Sequence, residues 1–97
     1  MAAVDHSHFS HLNKFFPELT EIQSAHVCML VFSCWSAEEI AEYRSVTVDT
    51  VKDSLVAAQR RLKASNMKSL RGVVVLRVMM NISCFMHGNN CLNFENN

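Results

Sequence analysis

Apolar residues recur at spacings of three and four over most of this 97-residue chain, which is helical periodicity. Phe9, Leu12, Phe15 and Phe16 predict a short amphipathic helix from His6 to Phe16, ended by Pro17. Thr20, with Gln23 three residues later, has the form of a capping box. The helix that follows is expected to bury Ile22, Val27, Leu30, Val31 and Cys34, with Trp35 closing it. Ser36 and Glu39 repeat the capping device for a helix from Ala37 to Tyr43, packed through Ile40, Ala41 and Tyr43. Arg44-Ser45-Val46 forms a turn whose valine points into the core. Thr47 then caps a long helix from Val48 to Lys63 with a buried stripe at Val51, Leu55, Ala58 and Leu62.

Ala64-Ser65-Asn66 interrupts this helix, and Ser65 or Asn66 caps a last one from Met67 to Phe85. That helix carries Leu70, Val73, Val74, Val75, Leu76, Val78, Met79, Met80 and Ile82, so apolar side chains fall on nearly every side of it. A helix apolar all round is buried on more than one side. A core this small covers one face, so the pattern implies a partner subunit seated on Val74, Val75, Val78, Met79 and Ile82. Gly88-Asn89-Asn90 is expected to stop the helix. The chain divides into an N-terminal helical extension (1–18), a helical domain (19–86) and a flexible tail (87–97), with the first five residues frayed.

Two glycines and one proline in 97 residues favour an all-α small helical bundle over a β-fold or a disordered chain. No apolar stretch approaches the roughly 20 residues of a membrane span, and no secretory pattern opens the chain. A cytoplasmic location is the expectation. Of the four cysteines, Cys28 and Cys34 sit within helical apolar patterns, so reduced thiols are expected. Cys84-x-x-His87-x-x-x-Cys91, with His6, His8 or His11, lacks the two tight ligand pairs of a zinc site, so no metal or other cofactor is expected. Ser54 and the scattered histidines form no nucleophile–base constellation in the sequence, so no enzymatic step is expected.

The net charge is zero but unevenly spread. Residues 1–43 carry a net −5, whereas residues 44–80 carry +6. The basic half begins at the proposed turn, as contact with phosphates would require. Two helices joined by a tight turn, the second opening on a threonine cap, have the grammar of a helix-turn-helix, which presents its second helix to the major groove. The outward face of that helix carries Asp49, Lys52, Asp53, Val56 and Arg60.

Leu19-Thr20, Val27, Leu30, Ser36, Glu39-Ile40-Ala41, Val46-Thr47, Thr50-Val51-Lys52, Leu55 and Leu62 follow one another in an order that resembles the LuxR/NarL-type DNA-binding domain, also found in FixJ-like regulators and free-standing in GerE. The resemblance covers about residues 19–74 and runs without a gap from Ile40-Ala41 to Leu62. It implies four helices, the third entering the major groove of double-stranded DNA and the fourth pairing two copies. On that basis Thr50 would meet phosphate, Lys52 a phosphate or base edge, and Lys52, Asp53 and Val56 the bases. Arg60, Arg61 and Lys63 would lie along the backbone, beside Thr47 and Asp49 at the start of the helix. The chain departs from the family at Ile22-Gln23, where Arg-Glu is usual. It also departs at two expected glycines, replaced by the Cys34-Trp35 region and by Ser45, and at Arg44, where an apolar residue is usual. Asp49 and Asp53 put two carboxylates on the face that should meet DNA.

The expectation is a small transcription regulator that binds DNA as a homodimer and is nucleoid-associated. The alternative is an interaction module of the same fold that pairs with a heterologous regulator through its last helix.

Overall fold

The computed structural model of the chain describes residues 6–86. The frayed start, the Gly88-Asn89-Asn90 stop, the tail and the His87 and Cys91 positions lie outside the described residues. Within them the chain is all-α and has no strand. A 3-10 helix (His6–Phe15) is followed by α1 (Glu21–Phe32), α2 (Ala37–Arg44), α3 (Val48–Arg61) and α4 (Met67–Met86).

Local chemistry starts each α-helix. Gln23 N–H donates to Thr20 Oγ1 at 3.1 Å while Thr20 N–H donates to Gln23 Oε1 at 3.1 Å, a complete capping box. Ser36 and Glu39 make the same reciprocal pair at 3.2 and 2.9 Å. Thr47 Oγ1 accepts from Thr50 N–H at 3.1 Å, and Asn66, not Ser65, caps α4 by accepting from Ser69 N–H at 2.8 Å. Each such cap stabilises by about 1 kcal/mol.

The short helix expected from His6 to Phe16 is a 3-10 helix from His6 to Phe15. Phe9, Leu12 and Phe15 repeat every third residue, which is the period of the tighter helix. Phe9, Phe16 and Leu19 are buried in the same core as the later helices, so this segment is part of the domain's packing. Ser24 Oγ donates to Asn13 Oδ1 at 2.9 Å, tying it to α1.

The helix surrounded on all sides is α1, which packs against every other element. Its residues from Ser24 to Leu30 are buried without a break. Ile22 is 41% exposed, Val31 half-buried and Cys34 exposed, contrary to the periodic expectation. Ile22 lies in the first turn, before neighbours close over α1. Cys34 lies beyond its end, because the helix stops at Phe32 and Cys34 turns left-handed (φ 58°). On α3 the stripe Val51, Leu55, Ala58 and Leu62 is buried as expected.

In α4 only Leu70, Val74 and Val78, four residues apart, enter the core. Val75, Leu76, Met79, Ile82 and Met86 are exposed, and no described side chain beyond Val78 is buried. One face of the helix lies against α1 and the 3-10 helix. None of the described helices is long and apolar enough to cross a membrane.

Arg77 fastens this arrangement. Its Nη1 donates to Glu18 Oε1 at 2.6 Å and to the Phe15 carbonyl at 3.3 Å, while the guanidinium sits 5.6 Å from the centroid of the Phe16 ring. Burial alone would raise the Glu18 pKa, but the Arg77 hydrogen bond, a backbone hydrogen bond and the Arg77 charge together outweigh it and hold the carboxyl below its ordinary value.

Candidate functional site

Three residues, Ser45 to Thr47, link α2 to α3. Ser45 takes a left-handed conformation (φ 58°, ψ 42°), which reverses the chain in one step. Val46 N–H donates to the Ala41 carbonyl at 3.0 Å, and the Val46 side chain packs against the core. Both places where the family resemblance calls for glycine are left-handed in this chain, at Cys34 and Ser45. Only glycine takes that conformation without a Cβ penalty, so both residues bear strain. The Trp35 and Tyr43 rings meet at a tilt of 49° with centroids 4.9 Å apart, closing the loop before α2 onto that helix.

Beyond the turn, α3 divides lengthwise. One stripe is core, and the opposite face is exposed along its length at Asp49, Lys52, Asp53, Val56 and Arg60. Thr47 and Thr50 are exposed at its start, Arg61 and Lys63 at its end. All nine residues expected to face DNA therefore lie on the surface. No ion pair joins Lys52 to either neighbouring carboxylate, so its ammonium is available to an outside anion. The Thr47 and Thr50 hydroxyls are 2.8 Å apart. With Thr47 as donor, the Thr50 hydroxyl hydrogen is left to reach a phosphate. Arg61 behaves differently: its Nη1 donates to the Glu18 carbonyl at 3.4 Å, which draws it toward the N-terminal segment.

The residues expected at a pairing surface separate into two groups. Val74 and Val78 belong to the chain's own core at 0% and 6% exposure. Val75, Met79 and Ile82 are 40%, 61% and 46% exposed and share a face with Leu76 and Met86. A period of 3.6 residues puts 74 and 78 on one side of α4 and 75, 79, 82 and 86 on another.

One contact escaped the sequence entirely. His26, on α1, is 1% exposed, and its Nδ1 lies 2.9 Å from Ser54 Oγ on α3. Burial, then the nearby Arg44 guanidinium, push the His26 pKa down to about 4. Its Nε2 and the Arg44 Nε are buried without hydrogen-bond partners. A serine–histidine pair invites comparison with an activated nucleophile, but the chemistry is unfavourable. A neutral imidazole this weakly basic, with no carboxylate on its other ring nitrogen to orient it, withdraws a serine proton poorly. The pair is a tie between α1 and the inner edge of α3. A histidine inside an apolar run was the available signal, yet its partner lies 28 residues away.

Cys28 is buried, and burial pushes its thiol up to about 12, so it is unreactive. Among the described residues no three His, Cys, Asp or Glu side chains are grouped to hold a metal ion. Comparison with known protein families, curated proteins and solved structures returned no match for this chain.

Proposed function

We propose that the chain is a small DNA-binding regulator with a LuxR-type helix-turn-helix, in which α2 and its turn present α3 to the major groove of duplex DNA. The observation that carries this reading is the outward face of α3: from Thr47 to Arg60 it is exposed, while its opposite stripe is locked into the core. Lys52 would provide the groove-side cation, Thr50 a phosphate contact, and Arg60 and Lys63 backbone contacts. Asp53 would accept from a cytosine N4 amino group and Val56 would meet a thymine methyl. Phosphate contacts would supply most of the affinity and these few base contacts the sequence preference. Two copies would pair through Val75, Leu76, Met79 and Ile82, as a two-fold site requires.

Binding of the full chain to random-sequence duplex DNA, measured against salt, tests the proposal. Affinity should fall linearly on a log–log plot, and Lys52→Ala should weaken binding and flatten the slope by about 1. Absence of salt-dependent binding at low ionic strength overturns it. A second reading, an interaction module that works on another regulator, is favoured by the exposed apolar face of α4, where Leu76, Met79 and Met86 are each at least 60% exposed. Retained pairing with no DNA affinity would support that alternative.

A further inference from the structure

The charge on α3 is graded along its axis. Its first two turns carry Asp49, Lys52 and Asp53, a net −1, whereas Arg60 and Arg61 close the helix. After Asp53 the sequence has no acidic residue until Glu95. Across the junction into α4 the exposed cations continue with Lys63, Lys68 and Arg71. Of these five bases, Arg61 is drawn to the Glu18 carbonyl, and Arg60, Lys63, Lys68 and Arg71 have no ion-pair partner among the described residues.

Backbone hydrogen bonds hold the junction, so the residues that carry these charges keep their places relative to α3. Lys63 is left-handed (φ 59°) and its N–H donates to the Arg60 carbonyl at 3.1 Å. Ala64 N–H donates to the Gln59 carbonyl at 3.0 Å, while Leu62 is buried and Ala64 and Met67 pack against the core. Asn66 then starts α4. Lys68 and Arg71, three apart, share one face of α4. That face turns apolar at Val75, Leu76 and Met79, so a partner seated there leaves the cations free.

We propose that Arg60, Lys63, Lys68 and Arg71 form a basic arc over the α3–α4 junction that anchors the phosphate backbone of duplex DNA. The arc adds phosphate contacts at the C-terminal end of α3 and across the junction, which offset the repulsion that Asp49 and Asp53 bring to its first turns. The inference rests on the DNA-binding reading above and adds Lys68 and Arg71, which lie outside α3, to the binding surface.

The test uses the full chain on a fluorescent random-sequence duplex across a salt series, comparing native protein with Lys68→Ala/Arg71→Ala and with Lys52→Ala. Melting temperatures of the variants check that the fold is kept. The arc predicts that the double variant binds more weakly and that the slope of log K against log salt falls by about 2, more than for Lys52→Ala. Native binding with an unchanged slope in the double variant overturns the arc and leaves the regulator reading standing. No native binding at low salt overturns both. Binding to phosphatidylserine vesicles without binding to duplex would assign the arc to a membrane surface, and that too overturns the proposal.

Discussion

His26 makes folding of this chain sensitive to mild acid. In the unfolded chain it takes up a proton near its ordinary pKa of 6.5, whereas the folded chain refuses the proton until about pH 4. The unfolded state therefore binds more protons throughout that window, and stability falls as the pH falls. The contribution is complete above pH 6.5, declines between the two values, and is lost below about pH 4. A gap from 6.5 to about 4 corresponds to a loss of about 2 kcal/mol by pH 5 and about 3 kcal/mol by pH 4. That is a large share of the roughly 5–15 kcal/mol that holds a domain together. Urea unfolding followed by circular dichroism at pH 7 and pH 5 measures it, since most carboxylates are still ionised at pH 5. His26→Gln keeps an amide that can hydrogen-bond Ser54 but cannot titrate. The native midpoint should drop about 2 M more than the variant's between those pH values, at about 1 kcal/mol per molar urea. The other histidines are common to both chains and cancel. Parallel losses in the two proteins would refute the argument, because they would place His26 in contact with water in the folded state.

Backbone strain and the two faces of α4 give further expectations. Ser45→Gly should raise stability by about 1 kcal/mol, since glycine bears the left-handed conformation at φ 58° without a Cβ penalty. A thermal melt shifted upward by about 4–8 °C would register it, and an unchanged or lower melting temperature would count against strain at the turn. Val74→Ala, at a fully buried site, should cost about 2 kcal/mol and leave any self-association intact. Met79→Glu, at a 61% exposed site, should leave the monomer's stability within about 0.5 kcal/mol and abolish pairing in sedimentation experiments. An unchanged oligomer would remove α4 as the pairing surface.

Helix starts were legible from the sequence because a cap is decided within four residues. Thr20 with Gln23, Ser36 with Glu39, and Thr47 with Thr50 each satisfy backbone N–H groups that no distant residue could reach first. The α3 stripe was legible for a similar reason: four apolar positions leave one outward face, and that face became the candidate site.

Periodicity misjudged α1, since an apolar residue announces that it can be buried but not by what. α1 takes the centre because the 3-10 helix, α2, α3 and α4 all close on it, which buries Ser24 and His26 along with the apolar residues. α4, with more apolar sides, gains only the face that α1 and the N-terminal segment can cover, leaving Leu76, Met79 and Met86 exposed. The His26–Ser54 tie and the hold of Glu18 on Arg61 and Arg77 likewise join residues 28 to 59 positions apart. Sequence alone thus determined where helices begin and which face α3 turns outward, because those depend on neighbours along the chain. Only the tertiary structure decided which helix is enclosed, which cations are already engaged and which apolar face is left uncovered, because each depends on what arrives from elsewhere in the fold.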